Sequence, residues 1–411
     1  MDTAGTGAAA DAVVATAGSA ATADAAAGTT AAGTATARTT PAWAGRERAG
    51  AARAAGEHAA TERARGERLP SLTGLRFAAA LLVFCVHVSI SGALGPSQAQ
   101  RAFHRAVGAG AVGVSFFFVL SGFVMTWSAR PTDTAARFWR RRAVKIYPNY
   151  LVALVFTLVS LAVTAHAAGW SVVVPNVLLV QSWWWDPGVH FGANSVSWSL
   201  ACEAFFYLLF PWLLPLLSRI RPERLWAAAA SCAVAVFCVP AVATALPADR
   251  RYWFVYVFPP VRLLEFVLGI VMALVVRAWL PRLPVWPVAG LLVLAYAVTP
   301  YAPADAETSA VTLVPFALLI AVVAAADTAG RGGFWRSRTA VWLGEISFAF
   351  YLVHQTVVLD LMKALDARNS SPAAGAAFTL AALALSVALA AAMHRWLETP
   401  LMRRFSRPRP R

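Results

Sequence analysis

Charged residues are scarce in this sequence. They make up 13% of its 411 residues, whereas soluble globular domains contain about 25%. The mean hydropathy is +0.60. This balance excludes an ordinary soluble enzyme, a disordered chain and a coiled coil. Because 59% of the residues are hydrophobic, we predict an all-α, polytopic integral membrane protein with several apolar helices that cross the bilayer.

Cysteine is equally scarce, with four residues in the whole chain. All four lie inside apolar runs, and none forms a C-x-x-C or Cys/His spacing typical of zinc. This excludes a disulfide scaffold, and we predict no metal site. The four are Cys85, Cys202, Cys232 and Cys238.

Acidic residues are outnumbered, at 20 against 35 Lys and Arg, and the net charge is +15. The excess falls mainly in alternate short loops between apolar runs, which is the positive-inside pattern rather than a nucleic-acid face. This pattern predicts about ten transmembrane helices with both termini in the cytoplasm, in a bacterial plasma membrane. The predicted spans are 69–94, 107–128, 147–168, 195–217, 225–246, 252–276, 284–302, 309–326, 340–361 and 374–396.

Three regions are predicted along the chain. Residues 1–67 are rich in Ala, Gly and Thr and are predicted to be a disordered cytoplasmic tail. Residues 68–400 form the ten-helix transmembrane domain, and residues 401–411 form a basic cytoplasmic tail. Residues 171–185 are apolar but too short to cross, so we interpret them as an interfacial or re-entrant segment.

Ionisable residues inside a bilayer are costly, so each one is a functional hypothesis. Arg76 and His87 lie eleven residues apart in the first span, which places them on one helix face and about 16.5 Å apart along the axis. A cation near the entrance suits a phosphorylated ligand, and a deeper imidazole suits proton transfer. The alternative is a snorkelling arginine and a hydrogen-bonded core histidine.

Further polar groups recur at helical spacing. Ser199, Glu203 and Tyr207 are four residues apart and form one polar stripe, from which Glu203 could orient His87, act as a second acid or base, or be purely structural. Arg262 and Glu265 fit an intrahelical ion pair.

The basic segment 130–145, with six Lys and Arg residues, contains more cations than topology requires. It fits phosphate recognition or contact with anionic lipids. Gly110 and Gly113 fit close helix packing.

Six motifs resemble those of the membrane-bound acyltransferase-3 family. They are S-L-T-G-L-R-F at 71–77 with a histidine eleven residues after its arginine, F-F-x-L-S-G-F at 117–123, basic-x-x-basic-x-x-Pro at 142–148, S-W-S-L-x-x-E-x-x-x-Y at 197–207, R-x-x-E-F-x-x-G at 262–269 and L-G-x-I-S-F-x-x-Y-L-x-H at 343–354. One departure is Lys145, where the family more often has arginine. The resemblance covers roughly residues 69–400.

The resemblance implies an integral membrane O-acyltransferase that moves an acyl group, commonly acetyl, from acyl-CoA to a hydroxyl of a carbohydrate or of a secondary metabolite such as a macrolide. Acyl-CoA is then the donor substrate, with no permanently bound cofactor. We predict His87 and Glu203 as catalytic. The predicted acyl-CoA-binding residues are Arg76, Arg141, Arg142, Lys145 and Tyr147. The predicted supporting residues are Ser121, Ser197, Trp198, Ser199, Tyr207, Arg262, Glu265 and His354.

Two other functions fit the same composition. Intramembrane Arg, Glu and His also occur in proton-coupled small-molecule transporters, although no internal repeat joins two halves of this chain. An inactive membrane scaffold is the third hypothesis. Because there is no G-x-S-x-G elbow, the sequence favours direct acyl transfer over a serine acyl-enzyme, and a transient acyl-histidine stays open.

Overall fold

The computed structural model of the chain describes residues 69–130, 133–164, 167–280, 283–301, 308–368 and 371–405. The predicted tail at 1–67 and residues 406–411 of the predicted basic tail lie outside the described residues. Within the described ranges all regular secondary structure is helical, and there is no strand.

The helices follow one another with short connections, several of them single 3-10 turns. The first seven α-helices are α1 (Pro70–Ser91), α2 (Gln98–Val107), α3 (Gly113–Trp127), α4 (Ala135–Val163), α5 (Trp170–Val177), α6 (Pro187–His190) and α7 (Trp198–Leu217). The next eight are α8 (Leu225–Ala243), α9 (Ala248–Tyr252), α10 (Pro259–Trp279), α11 (Val285–Val298), α12 (Thr308–Thr328), α13 (Arg338–Ala364), α14 (Pro372–Met393) and α15 (Thr399–Phe405). A π-helical turn, His394–Glu398, joins α14 to α15.

Eight of the described helical stretches are long and apolar enough to cross a bilayer. They include α1, α4, α7, α12 and α13, and each coincides with a predicted span. The all-α polytopic membrane fold is therefore confirmed. The other two predicted spans correspond to α10, which has 21 residues, and to the shorter apolar stretch Val285–Tyr301.

The segment before α7 does not cross. Helix α5 has eight residues, so it is about 12 Å long and cannot span a hydrocarbon core of about 30 Å. The three tryptophans that follow it, at 183–185, are exposed. Gln181 and Ser182 beside them are buried and donate hydrogen bonds to the carbonyls of Ser197 and Trp198. These bonds tie the segment to the start of α7.

The centre of the bundle is the contact between α3 and α10. A Cβ added at Gly122 would overlap the carbonyl oxygen of Phe266, and one added at Gly269 would overlap that of Val119. Small residues in both helices thus let the two backbones approach closely. The predicted close packing at Gly110 and Gly113 is also present, against the backbone of α1 at Leu82 and Ala79.

The start of α1 is held by another helix rather than by its own cap. Leu69 at the N-cap makes no side-chain cap. Instead the backbone N–H and the hydroxyl of Ser71 donate to the buried carboxylate of Asp327, at 2.8 and 2.6 Å. A carboxylate at a helix N-terminus also complements the helix dipole. This contact fixes the turn from which Arg76 projects.

Substituting Gly122 with alanine is expected to destabilise the protein. The added methyl group meets backbone in α10, which cannot rotate away, and overpacking of this kind costs about 1–3 kcal/mol. The matched control is Gly290→Ala in α11, where an added Cβ has no neighbour within 4 Å. Thermal unfolding in detergent should show a lower Tm for the first variant alone. Equal Tm values for the two variants would contradict the close α3–α10 contact.

Candidate active site

A cavity of about 760 Å³ lies among α1, α3, α4, α7 and α13, with the π-helical turn after α14 completing its wall. Its size is within the range of small-molecule and cofactor sites. Apolar side chains of α3 form much of one side. The polar and charged lining residues are Thr73, Arg76, Ser121, Ser128, Arg130, Arg142, Lys145, Ser199, Glu203, Tyr207, Glu345, Ser347, Tyr351, His394 and Glu398.

Three of the predicted phosphate-binding cations line this cavity. They are Arg76 from α1 and Arg142 and Lys145 from α4. The last two are three residues apart and therefore share one helix face. The carboxylate of Glu203 on α7 lines the same cavity. The site is thus a polar chamber in which cations from two helices converge.

Two other predicted acyl-CoA-binding residues, Arg141 and Tyr147, do not line this cavity. Arg141 makes a bidentate ion pair with Asp133, and this hydrogen-bonded guanidinium lowers the pKa of Asp133. The Tyr147 hydroxyl donates to the Val177 carbonyl at 2.7 Å. Arg141 is adjacent to Arg142 on α4 and therefore points about 100° away from it around the helix. Tyr147 is two residues beyond Lys145 and lies about 200° around the helix from it.

The three residues of the stripe predicted on α7, Ser199, Glu203 and Tyr207, all line the cavity. The Tyr207 hydroxyl donates to Oε2 of Glu203 at 2.6 Å. Since that hydroxyl has one proton, the Ser121 hydroxyl, 2.9 Å away, donates to Tyr207 in turn. Ser199 lies at the other end of the stripe, with its hydroxyl 3.0 Å from that of Tyr351.

His87 is not among the cavity-lining residues, although its spacing predicts that it shares a helix face with Arg76, which does line the cavity. Its Nδ1 lies 2.8 Å from Nε2 of His354 on α13. Helix α13 packs along α1, and His354 on α13 therefore faces His87 on α1. Tyr351 lies between the cavity and the histidine pair, because it lines the cavity and its ring centroid is 5.8 Å from that of His354.

Glu203 is also not the partner of His87 that the sequence suggested. Among the described contacts its carboxylate is bonded to Tyr207 on its own helix. The structure gives His87 a histidine partner instead, and it brings His354, predicted as a supporting residue, into direct contact with the predicted base.

Glu398 and His394 also belong to the cavity wall, and neither is among the site residues predicted from the sequence. Oε2 of Glu398 accepts from Asn149 Nδ2 at 3.1 Å and from His394 Nδ1 at 3.3 Å. The i,i+4 spacing of this histidine and glutamate was the available signal. π-helical turns such as this one occur frequently at functional sites.

The remaining supporting residues lie behind the wall. Arg262 and Glu265 are buried and form the predicted ion pair, with Nη2 to Oε2 at 3.2 Å. Arg262 Nη2 also donates to the Ser115 hydroxyl at 2.8 Å. Ser197 accepts from Gln181, and the Trp198 ring contacts Phe118 edge-on at 6.2 Å. These supporting residues connect α3, α7 and α10, and none of them lines the cavity.

The fold and the cavity together define a polytopic helical membrane protein with a large internal site lined by both cationic and carboxylate side chains. Residues 69–392 match the family profile Acyl_transf_3, described as an acyltransferase domain. The chain therefore belongs to the acyltransferase-3 family, as the motifs indicated.

Curated relatives agree with this family. Acyltransferase MdmB of Streptomyces mycarofaciens is 44% identical over 363 residues, which cover 84% of this chain and 94% of the relative. O-acetyltransferase OatA of Staphylococcus aureus is 28% identical over 181 residues, 38% of this chain and 26% of the relative. Peptidoglycan O-acetyltransferase OatA of Listeria monocytogenes is 27% identical, with the same two coverages. No solved structure gives a significant match.

The protein is thus an acyl-transferring enzyme. The names of these homologues favour this activity over the transporter and the inactive scaffold.

The variant Tyr207→Phe tests the cavity wall. It removes the hydroxyl that donates to Glu203, and a hydrogen bond to a charged group contributes about 1.5–3 kcal/mol. Acyl transfer by the purified protein should fall roughly 10- to 100-fold. The matched control is Tyr147→Phe, whose hydroxyl bonds outside the cavity and whose loss should leave the rate near wild type. A Tyr207→Phe enzyme with wild-type activity would remove this pair from the active site.

Proposed function

We propose that the protein is an O-acyltransferase that transfers an acyl group, acetyl in the simplest case, from acyl-CoA to a hydroxyl of a carbohydrate or of a small secondary metabolite such as a macrolide. The observation that carries this proposal is the convergence of Arg76, Arg142 and Lys145 on one cavity of about 760 Å³. A family profile and a relative matched over most of both chains support the transferase chemistry.

The donor is assigned from charge. Coenzyme A has a diphosphate and a 3′-phosphate, and guanidinium groups bind such oxyanions through charge-assisted hydrogen bonds. Arg130 adds a fourth cation to the same wall. The loops at this end of the bundle are those with the basic excess, so the positive-inside rule places them in the cytoplasm, where acyl-CoA is available. We place both termini on that side, in a bacterial plasma membrane.

The spacing within α1 also supports this donor. His87 is eleven residues beyond Arg76, which is about 16.5 Å along the helix axis. The thioester of acyl-CoA is at the far end of the long pantetheine arm from its phosphates. A donor whose phosphates contact Arg76 would therefore extend its acyl group toward Tyr351 and the histidine pair.

The acceptor approaches that same end. The cavity wall there combines hydroxyl groups, at Ser199 and Tyr351, with apolar side chains such as Phe117 and Leu352. Such a wall suits a sugar with a lipophilic substituent, or a macrolide. The Listeria relative, named for peptidoglycan, supports a cell-envelope glycan as the other acceptor class. Because His87 does not itself line the cavity, the reacting groups must pass Tyr351 to reach it. His87 would then take the hydroxyl proton as the acyl group transfers.

Donor binding can be measured without an acceptor. In lipid nanodiscs, Arg142→Gln and Lys145→Gln should each weaken acetyl-CoA binding roughly 10- to 100-fold, because each removes a charge-assisted contact of about 1.5–3 kcal/mol. Arg141→Gln is the matched control, since Arg141 pairs with Asp133 outside the cavity. Equal affinity in all three variants would contradict the donor assignment.

The acceptor and the base are tested together. Membranes containing the protein are incubated with acetyl-CoA and either a macrolide bearing a neutral sugar or peptidoglycan fragments, and acetylated products are identified by mass spectrometry. We expect one class to gain acetyl groups, and His87→Ala, at normal membrane insertion, to lose about 10²–10⁴-fold in rate. Undiminished transfer by His87→Ala would end the assignment of this base, and substrate flux without CoA release would favour a transporter.

A further inference from the structure

Two imidazole rings from different helices meet inside the bundle. Nδ1 of His87 on α1 lies 2.8 Å from Nε2 of His354 on α13, and the ring centroids are 5.0 Å apart. His354 is completely buried, whereas His87 keeps part of its surface exposed. His354 is therefore the inner ring of the pair and His87 the outer one.

The hydrogen bonds of His354 determine where its proton is. Its Nδ1 lies 2.7 Å from the backbone carbonyl of Tyr351 and 3.3 Å from that of Phe350. A carbonyl oxygen accepts and cannot donate, so Nδ1 of His354 must carry a hydrogen. In a neutral imidazole the other nitrogen, Nε2, then has a lone pair and can only accept.

The lone pair on Nε2 of His354 determines which nitrogen of His87 has the hydrogen. If Nε2 of His354 accepts, Nδ1 of His87 must be the donor, and Nε2 of His87 is left with the free lone pair. Neither ring is hydrogen-bonded to a carboxylate among the described residues. His354 is also enclosed by the rings of Phe84 and Phe350, at 6.2 and 5.7 Å. Such an apolar enclosure favours the neutral form of both rings.

We propose that His354 is a positioning residue that holds His87 in the tautomer with a hydrogen on Nδ1 and a lone pair on Nε2. The Tyr351 carbonyl, His354 and His87 form one hydrogen-bonded chain that ends on the basic nitrogen. The role parallels that of the third member of a catalytic triad, which fixes the tautomer of the histidine base. In this protein the neutral imidazole of His354 has the role of that third member.

The inference rests on the proposed function and specifies one step of it. The acceptor hydroxyl gives its proton to Nε2 of His87 as its oxygen bonds to the acyl carbon. The carbon–sulfur bond of acyl-CoA then breaks, and the CoA thiolate takes the proton from Nε2. The products are the ester and free CoA, and the histidine pair returns to its starting tautomer.

The tautomer is measurable in the resting protein, with no substrate. The full chain is labelled with ¹⁵N-histidine in lipid bilayers, and the signals of His87 are identified by their loss in His87→Asn. Ring-nitrogen shifts distinguish N–H from bare nitrogen. We expect N–H at Nδ1 and a bare Nε2 in His87, with a coupling across the N–H···N bond to His354. A hydrogen found on Nε2 of His87 would overturn the proposal.

Two substitutions of His354 separate positioning from packing. His354→Gln keeps an acceptor oxygen for the His87 N–H, whereas His354→Leu keeps apolar volume and removes the acceptor. The leucine variant should show mixed tautomers at His87, and its kcat for CoA release from acetyl-CoA with the two acceptors above should fall about 100-fold at unchanged KM. The glutamine variant should keep the tautomer and lose less than about tenfold.

The matched control is His104→Leu, which removes a histidine bonded to Ser89 on α1 and should leave the His87 signals unchanged. If both His354 variants lose kcat equally while the His87 tautomer persists, His354 acts only in packing and the proposal is wrong. Acetyl-CoA binding distinguishes a failure of the histidine proposal from a failure of the proposed function. A protein that shows the expected tautomer without binding acetyl-CoA would contradict the proposed function and leave the histidine pair as described.

Discussion

The structure depends on the cost of placing ionisable groups within an apolar bundle. Each such group needs a partner or a polar chamber. The helices are arranged so that each ionisable residue predicted within the membrane has one or the other. Arg262 pairs with Glu265 behind the wall, and Asp327 receives the start of α1. Arg76, Arg142 and Lys145 share the cavity with Glu203. The cavity is thus where the bundle leaves its charges available to a ligand.

Close helix packing maintains this arrangement. Glycines at the α3–α10 contact bring two backbones together, and the Arg262–Glu265 pair and its bond to Ser115 lie in the same contact. On the other side of the cavity, the ring of Phe350 on α13 contacts Phe77 and Phe84 of α1. Those rings fix the register that places His354 against His87. Packing and chemistry therefore use the same pairs of helices.

Much of this could be predicted from the sequence, because it depended on composition and helical period. Apolar run length predicted the membrane fold, and the four-residue spacing predicted that Ser199, Glu203 and Tyr207 share a face. The six motifs indicated the family that residues 69–392 confirm. These signals are local, and an α-helix converts them into geometry without knowledge of its neighbours.

Contacts between helices could not be read in the same way. Which helix packs beside α1 decides that His87 meets His354 rather than Glu203. The rotation of α4 decides that Arg142 faces the cavity while Arg141 pairs with Asp133. The π-helical turn that brings Glu398 into the wall has no distinct composition.

The central claim is that the positively charged cavity holds acyl-CoA with its acyl end toward the histidine pair. A cryo-EM structure with a thioether analogue of acetyl-CoA tests it most directly. The account predicts phosphate oxygens within about 4 Å of the side-chain nitrogens of Arg76, Arg142 or Lys145, and the thioether beyond Tyr351, next to His87. An analogue bound outside this cavity, or bound with its sulfur pointing away from His87, would contradict it.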